Sequence, residues 1–128
     1  MKLLLDTHAF IWINENSPQL SEKVKSLFCA EENEIYLSIA SAWEIQIKTQ
    51  LGKLDLQIPI RELIDNNIKE NRIHLLQINL SHIEHLEKLP LYHKDPFDRI
   101  IIAQAIVENL TVISLDNAFA NYAISTIW

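Results

Sequence analysis

The 128-residue chain is poor in the residues that build several common active sites, with one glycine, Gly52, and one cysteine, Cys29. A dinucleotide fingerprint, a phosphate-binding P-loop and a nucleophile elbow each need two or more glycines, so that backbone can approach phosphate or turn sharply. None of them is present. A single thiol excludes an intrachain disulfide framework and a multi-cysteine zinc site, and it fits a reducing compartment. Positive charge is also scarce. Eleven Lys and Arg stand against 17 Asp and Glu, a formal charge of −6, which argues against a diffuse basic surface for holding nucleic acid. No stretch reaches the roughly 18 apolar residues of a membrane span. Only Leu3, Leu4 and Leu5 separate Lys2 from Asp6, too short an apolar core for a secretory leader. These absences predict a cytoplasmic protein with no membrane partner.

With 48% apolar and 22% charged residues, the composition is that of an ordinary globular chain, and its length suits one domain over 1–128. Short apolar runs at 2–5, 35–37, 73–78 and 111–115 predict strands, with a short last strand over 124–128. Between them the spacing predicts helices. One short helix or turn covers 8–14, and a helix capped by Ser21 runs to about 30 with Val24, Leu27 and Phe28 inward. Another starts near Ser41 with a stripe of Ala40, Trp43, Ile47 and Leu51, and Gly52 stands in the position of its C′ cap. Pro59 opens a helix with Leu63, Ile64 and Ile68 facing in, and Ser81 caps one through Leu89. Asp95-Pro96-Phe97-Asp98 has the residue types of a helix start, with Asp at the cap, Pro at the first position and a second acid at the third. The helix it opens, 96–109, is apolar almost all round and so is expected to be central. Strands alternating with helices predict an α/β fold, a short parallel sheet between two helical layers.

Ligands in such sheets bind beyond the carboxyl ends of the strands. Two predicted strands end at an acid, Asp6 and Asp116, and a turn or cap role is the plain alternative for either alone. Glu44 shares the face of an apolar helical stripe, so it needs a partner, a metal or a proton; an i+4 pair with Lys48 would be the simplest. Asp95 is explained as a helix cap, which leaves Asp98 free for another task. If Asp6, Glu44, Asp98 and Asp116 converge, each pair about 4 Å apart repels by roughly 4 kcal/mol at an effective dielectric near 20. Such a cluster must bind a proton or a cation. An all-oxygen set selects Mg²⁺ or Mn²⁺, ions that activate water in phosphodiester hydrolysis.

Other residues carry less signal. His82 and His85 are expected on a solvated helix face, and His74 in a strand as a neutral packed or exposed residue. His8 and His93 are near acids in sequence only. Cys29, Trp12, Trp43 and Trp128 are expected in the core or an interface.

Five blocks in order carry a family resemblance: Leu3 to His8; Ser38 to Ile45; Gly52-Lys53-Leu54; His93 to Arg99; and Ser114 to Phe119. Together they resemble a PIN-domain toxin of the VapC type over nearly the whole chain, Asp-Pro-Phe-Asp-Arg being the most specific block. The resemblance implies a three-layer α/β/α fold and a Mg²⁺- or Mn²⁺-dependent endoribonuclease. It also implies a homodimer and a cognate antitoxin. Carried over by position, its acidic quartet is Asp6, Glu44, Asp98 and Asp116. Thr7 and Ser114 match supporting hydroxyls, Ser114 standing where Thr is frequent, and Asp95 matches a position where a helix-start role competes with a catalytic one. Lys48, Lys53, Lys94 and Arg99 are candidate contacts to RNA phosphates. Two other classes stay open: a PIN-like binding module without catalysis, and an aspartyl phosphotransfer or phosphatase protein. The phosphatase needs a second Asp where His8 stands.

Overall fold

The computed structural model describes residues 1–128. Its strands are β1 (Lys2–Leu5), β2 (Glu34–Ser38), β3 (Ile73–Leu76), β4 (Thr111–Ile113) and β5 (Thr126–Ile127). Its helices are α1 (Thr7–Glu15), α2 (Glu22–Cys29), α3 (Ile39–Gln50), α4 (Ile60–Glu70), α5 (Leu80–His85) and α6 (Pro96–Glu108), with 3-10 turns at Leu86–Lys88 and Asn117–Asn121. The five strands form one sheet, wholly parallel, in the order β3-β2-β1-β4-β5. β1 is therefore the point at which the winding reverses. Its neighbours β2 and β4 lead away in opposite directions and leave a crevice at its carboxyl end.

Helices cover both faces of the sheet. Leu3 and Leu5 of β1, with Ile35, Leu37 and Ile113, pack on one side against Phe10, Val24, Ala42, Ile45 and Ile64. Leu4 and Val112 point to the other side, against Ile100 to Ala103 and Ala105 of α6 with Leu89, Phe119 and Tyr122. Alternate side chains of a strand point to opposite faces, so a strand buried on both must be apolar throughout, as Leu3-Leu4-Leu5 is. All three are at most 1% exposed. The α/β/α arrangement is the one expected.

The helix ends follow the local chemistry. Ser21 Oγ accepts from Val24 N–H at 3.1 Å, and Asp95 Oδ1 accepts from Phe97 N–H at 2.8 Å with Pro96 at the first helical position. Gly52 has φ +73°. Its N–H reaches Thr49 O at 3.1 Å and the Lys53 N–H reaches Lys48 O at 2.9 Å, the paired bonds of a Schellman motif.

Several expectations fail for identifiable reasons. α3 starts at Ile39, capped by Ser38, and Trp43 and Leu51 are both 63% exposed. Of the expected stripe Ala40 is buried, and the rest of the buried face is Ser41, Ala42, Glu44 and Ile45, where Ser41 and Ala42 are small enough to let α3 pack closely against neighbours. Asn79, not Ser81, caps α5, and His82 completes a reciprocal capping box. His82 is fully buried, with Nε2 3.0 Å from Glu108 Oε1 at the end of α6, because α5 packs on α6 and covers that face. Ile68 is 42% exposed. Cys29, at the end of a helix whose only buried residue is Val24, is exposed rather than in the core. β4 stops at Ile113, so Ser114 to Asp116 lie past the strand in irregular backbone.

Candidate functional site

At the crevice, Asp6 leaves β1 and caps α1, its Oδ1 accepting from Ala9 N–H at 2.7 Å. Its Oδ2 accepts from the Ser114 hydroxyl at 2.5 Å. Ser114 Oγ in turn accepts from the Asp116 N–H at 3.0 Å, and Asp116 Oδ1 accepts from Ala118 N–H at 2.9 Å. One hydroxyl thus ties the acid after β1 to the acid after β4. Thr7, the first residue of α1, donates to Glu44 Oε1 on α3 at 2.7 Å, and Ser41 Oγ is 3.0 Å from the same hydroxyl. Glu44 Oε2 lies 3.2 Å from Lys48 Nζ. The i+4 pair and the packing within the site therefore coexist in Glu44, one oxygen serving each.

Asp98, at the third position of α6, comes within 2.7 Å of His93 Nε2, and Asp116 Oδ2 is 3.7 Å from the same nitrogen. Ligand atoms of His93, Asp98 and Asp116 all lie within 4.8 Å of one another. The Nε2 is buried, and although 2.7 Å from a carboxylate it has no aligned hydrogen bond. Its Nδ1 receives only a long 3.4 Å contact from the Asp95 N–H. His93 is thus a member of the cluster that its sequence position did not reveal. The usable signal was the spacing His-x-Asp, in which a turn before the helix cap folds the ring back over the α6 N-terminus.

Two of the acids are shifted by their surroundings. Burial raises the Asp6 carboxyl above its ordinary 3.8, the Ser114 and Ala9 hydrogen bonds and His8 offset part of this, and Asp116 adds to the rise. Asp98 is pushed up to about 7. Burial is again the main cause, followed by the neighbouring charge of Asp95; His93 opposes, and Glu44 and Asp6 add to the rise. Asp6 thus senses Asp116, and Asp98 senses Glu44 and Asp6, although the cluster with ligand atoms within 4.8 Å of one another, His93, Asp98 and Asp116, includes neither Asp6 nor Glu44. Concentrated negative charge and a buried nitrogen with no hydrogen bond fit a divalent cation better than they fit an unliganded surface. The donor set differs from the all-oxygen one expected, because it includes an imidazole.

The cations expected at phosphates are unequally free. Lys48 is engaged by Glu44. Arg99 donates to Pro90 O at 2.9 Å and comes within 3.4 Å of Leu86 O, so its charge caps backbone carbonyls. Lys53 and Lys94 are exposed. A pocket of about 260 Å³ opens beside the acids, lined by Asp6, His8, Trp12, Leu115 and Asp116. Another of about 270 Å³ lies at the opposite end of the sheet, around Cys29, Glu70 and Arg72, and none of the candidate residues lines it.

The family model for the PIN domain matches residues 3–125. The chain belongs to the PIN domain family. This PIN domain resembles solved structures along almost its whole length. VapBC2 from Rickettsia felis, bound to a DNA fragment from its promoter, matches at 17% identity and a TM-score of 0.74, over 99% of this chain and 98% of that one. FitAcB from Neisseria gonorrhoeae matches at 20% identity and 0.66, over 98% and 96%. A toxin-antitoxin complex from Klebsiella pneumoniae matches at 16% and 0.65, over 98% and 96%. At these identities the likeness is one of fold. No curated protein matches the PIN domain's sequence significantly.

Proposed function

We propose that this PIN domain, acting as one unit over 1–128, is the toxin of a VapC-type toxin–antitoxin pair and a metal-dependent endoribonuclease. The observation that supports this reading best is the gathering of Asp98 and Asp116 about His93 beyond the end of β1, with Asp6 tied to Asp116 through Ser114 and Glu44 held alongside by Thr7. Asp6, Glu44, Asp98 and Asp116 would hold Mg²⁺ or Mn²⁺, with His93 Nε2 beside them. Such an ion supplies a counter-charge for an RNA phosphate and lowers the pKa of water at neutral pH.

The chain's own residues orient the site. The Ser114 hydroxyl fixes one Asp6 oxygen and the cap of α1 fixes the other, so Asp6 needs no reorganisation on binding. Thr7 and Lys48 each hold one oxygen of Glu44. Asp116, with a side chain 46% exposed, is the most accessible of the acids to an arriving phosphate. Lys53 and Lys94 remain for contacts to the rest of the strand. The structural likeness to toxin–antitoxin complexes supports an antitoxin as partner, and a homodimer follows from the same reading. No helix is long and apolar enough to cross a membrane.

The test is incubation of RNA with the purified chain in Mg²⁺, in Mn²⁺ and in EDTA. Cleavage that requires metal and is lost in Asp6→Asn supports the reading. Intact RNA under all three conditions refutes it and favours a binding module.

A further inference from the structure

The three groups whose ligand atoms lie within 4.8 Å of one another come from separate segments. Asp98 stands in the first turn of α6, Asp116 follows β4, and His93 sits in the connection before the α6 cap. No strand or helix carries His93. Irregular backbone of this kind keeps its conformational freedom unless side chains tie it down.

Two side chains tie it. Asp116 caps the turn Asn117–Asn121, which closes on Tyr122. Tyr122 is 5% exposed, and its hydroxyl oxygen accepts from the His93 N–H at 2.8 Å. Tyr92, the neighbour of His93, meets the same ring edge-on at 5.4 Å. Arg99 reaches the loop from the other side, next to Asp98 on α6. Its guanidinium donates to Pro90 O at 2.9 Å and comes within 3.4 Å of Leu86 O and 3.5 Å of Leu89 O. It also lies 3.5 Å from the Tyr122 hydroxyl. One planar fork thus gathers three carbonyls, a geometry that the point charge of a lysine cannot copy.

Resting on the metal-dependent reading above, we infer that Tyr122 and Arg99 are positioning residues for the divalent ion. They clasp 86–93 between α6 and the turn after Asp116, so that His93 is already beside Asp98 and Asp116 when an ion arrives. Without the clasp, ion binding has to order the loop as well, and affinity falls by that cost. The clasp therefore acts on metal affinity and not on the rate once the site is full.

Calorimetric titration of Mn²⁺ into the whole chain tests this with two variants. Tyr122→Phe keeps the ring and removes the acceptor; Arg99→Lys keeps the charge and removes the fork. Each is expected to bind Mn²⁺ about tenfold more weakly, the effect of groups that orient metal ligands. Combined, they should cost less than the sum of their separate losses, because both hold one loop. The His93 amide should exchange with solvent faster in Tyr122→Phe. Cleavage should need more Mn²⁺ and regain the wild-type rate at saturation. Unchanged Mn²⁺ affinity in either variant overturns the inference, even if the melting temperature in EDTA falls, since that pattern belongs to a merely structural role. Losses that simply add, or a rate that stays low at saturating Mn²⁺, overturn it too. If the wild-type chain binds Mn²⁺ and the variants match it, the clasp alone fails. If the wild-type chain binds none, the metal-dependent reading fails with it.

Discussion

Replacing Asp98 by Asn exposes how much the acidic cluster costs the metal-free fold. The Asp98 carboxyl is raised from 3.8 to about 7, chiefly by burial and then by Asp95. A shift of that size has a ceiling of roughly 4 kcal/mol at 1.36 kcal/mol per pH unit. The side chain keeps 18% of its surface in solvent, and screening reduces the expected effect to about 2 kcal/mol. The sign follows from the direction. The fold prefers the neutral carboxyl, so this contribution is complete below pH about 4 and is lost as pH rises through 7. Asn is neutral throughout. The melting temperature of Asp98→Asn minus that of the wild type should therefore widen between pH 4 and pH 8, by about 7 °C for a chain of this length. Scanning calorimetry in EDTA across that range measures it. Mn²⁺ at a hundred times its dissociation constant should reverse the order at pH 8, adding about 2.7 kcal/mol to the wild type and little to the variant. A difference that stays constant with pH in EDTA would refute the account of Asp98, and a metal response equal in both proteins would remove it from the ion site.

Asp6→Asn should abolish metal-dependent cleavage while leaving the metal-free melting temperature unchanged or higher, since Asn also caps a helix; Asp6→Ala should cost about 1 kcal/mol through the lost cap. Thr7→Val removes the donor to Glu44 Oε1 with little change in volume. Calorimetric titration should show Mn²⁺ affinity weakened by about ten- to a hundredfold, and unchanged affinity would mean that Glu44 is not a ligand. Gly52→Ala meets no atom within 4 Å but must adopt φ +73°, so denaturant unfolding should lose about 1 kcal/mol with activity retained.

Much of this was legible in the sequence wherever one residue type answers one local demand. Asp95-Pro96, Ser21 and Gly52 each satisfy unpaired backbone groups at a helix end, and a strand buried on both faces has to be apolar like Leu3-Leu4-Leu5. Positions that depend on which neighbour covers a face were not legible. Trp43 and Leu51 share helical spacing with Ile47 and imitate a core stripe, yet α3 buries Ser41, Ala42, Glu44 and Ile45 beside Ala40 instead. His82 and Cys29 exchanged roles for the same reason: α5 is covered by α6, while Cys29 at the end of α2 is left exposed. Glu44 is buried, although not through the stripe that drew attention to it. His93 was hidden because its partners Asp98 and Asp116 are brought to it by a turn and by a strand distant in sequence.

The hydrogen bond from Ser114 to Asp6 joins residues 108 positions apart, and β4 reaches β1 only after α6 has been made. Asp6 and Asp116 come together only in a chain that runs from one to the other. During synthesis the acid after β1 emerges early and waits, solvated and without its counterpart, until residues 114–116 leave the ribosome. In a chain arranged in this order the crevice is complete only once residues 114–116 are free to pair with the end of β1.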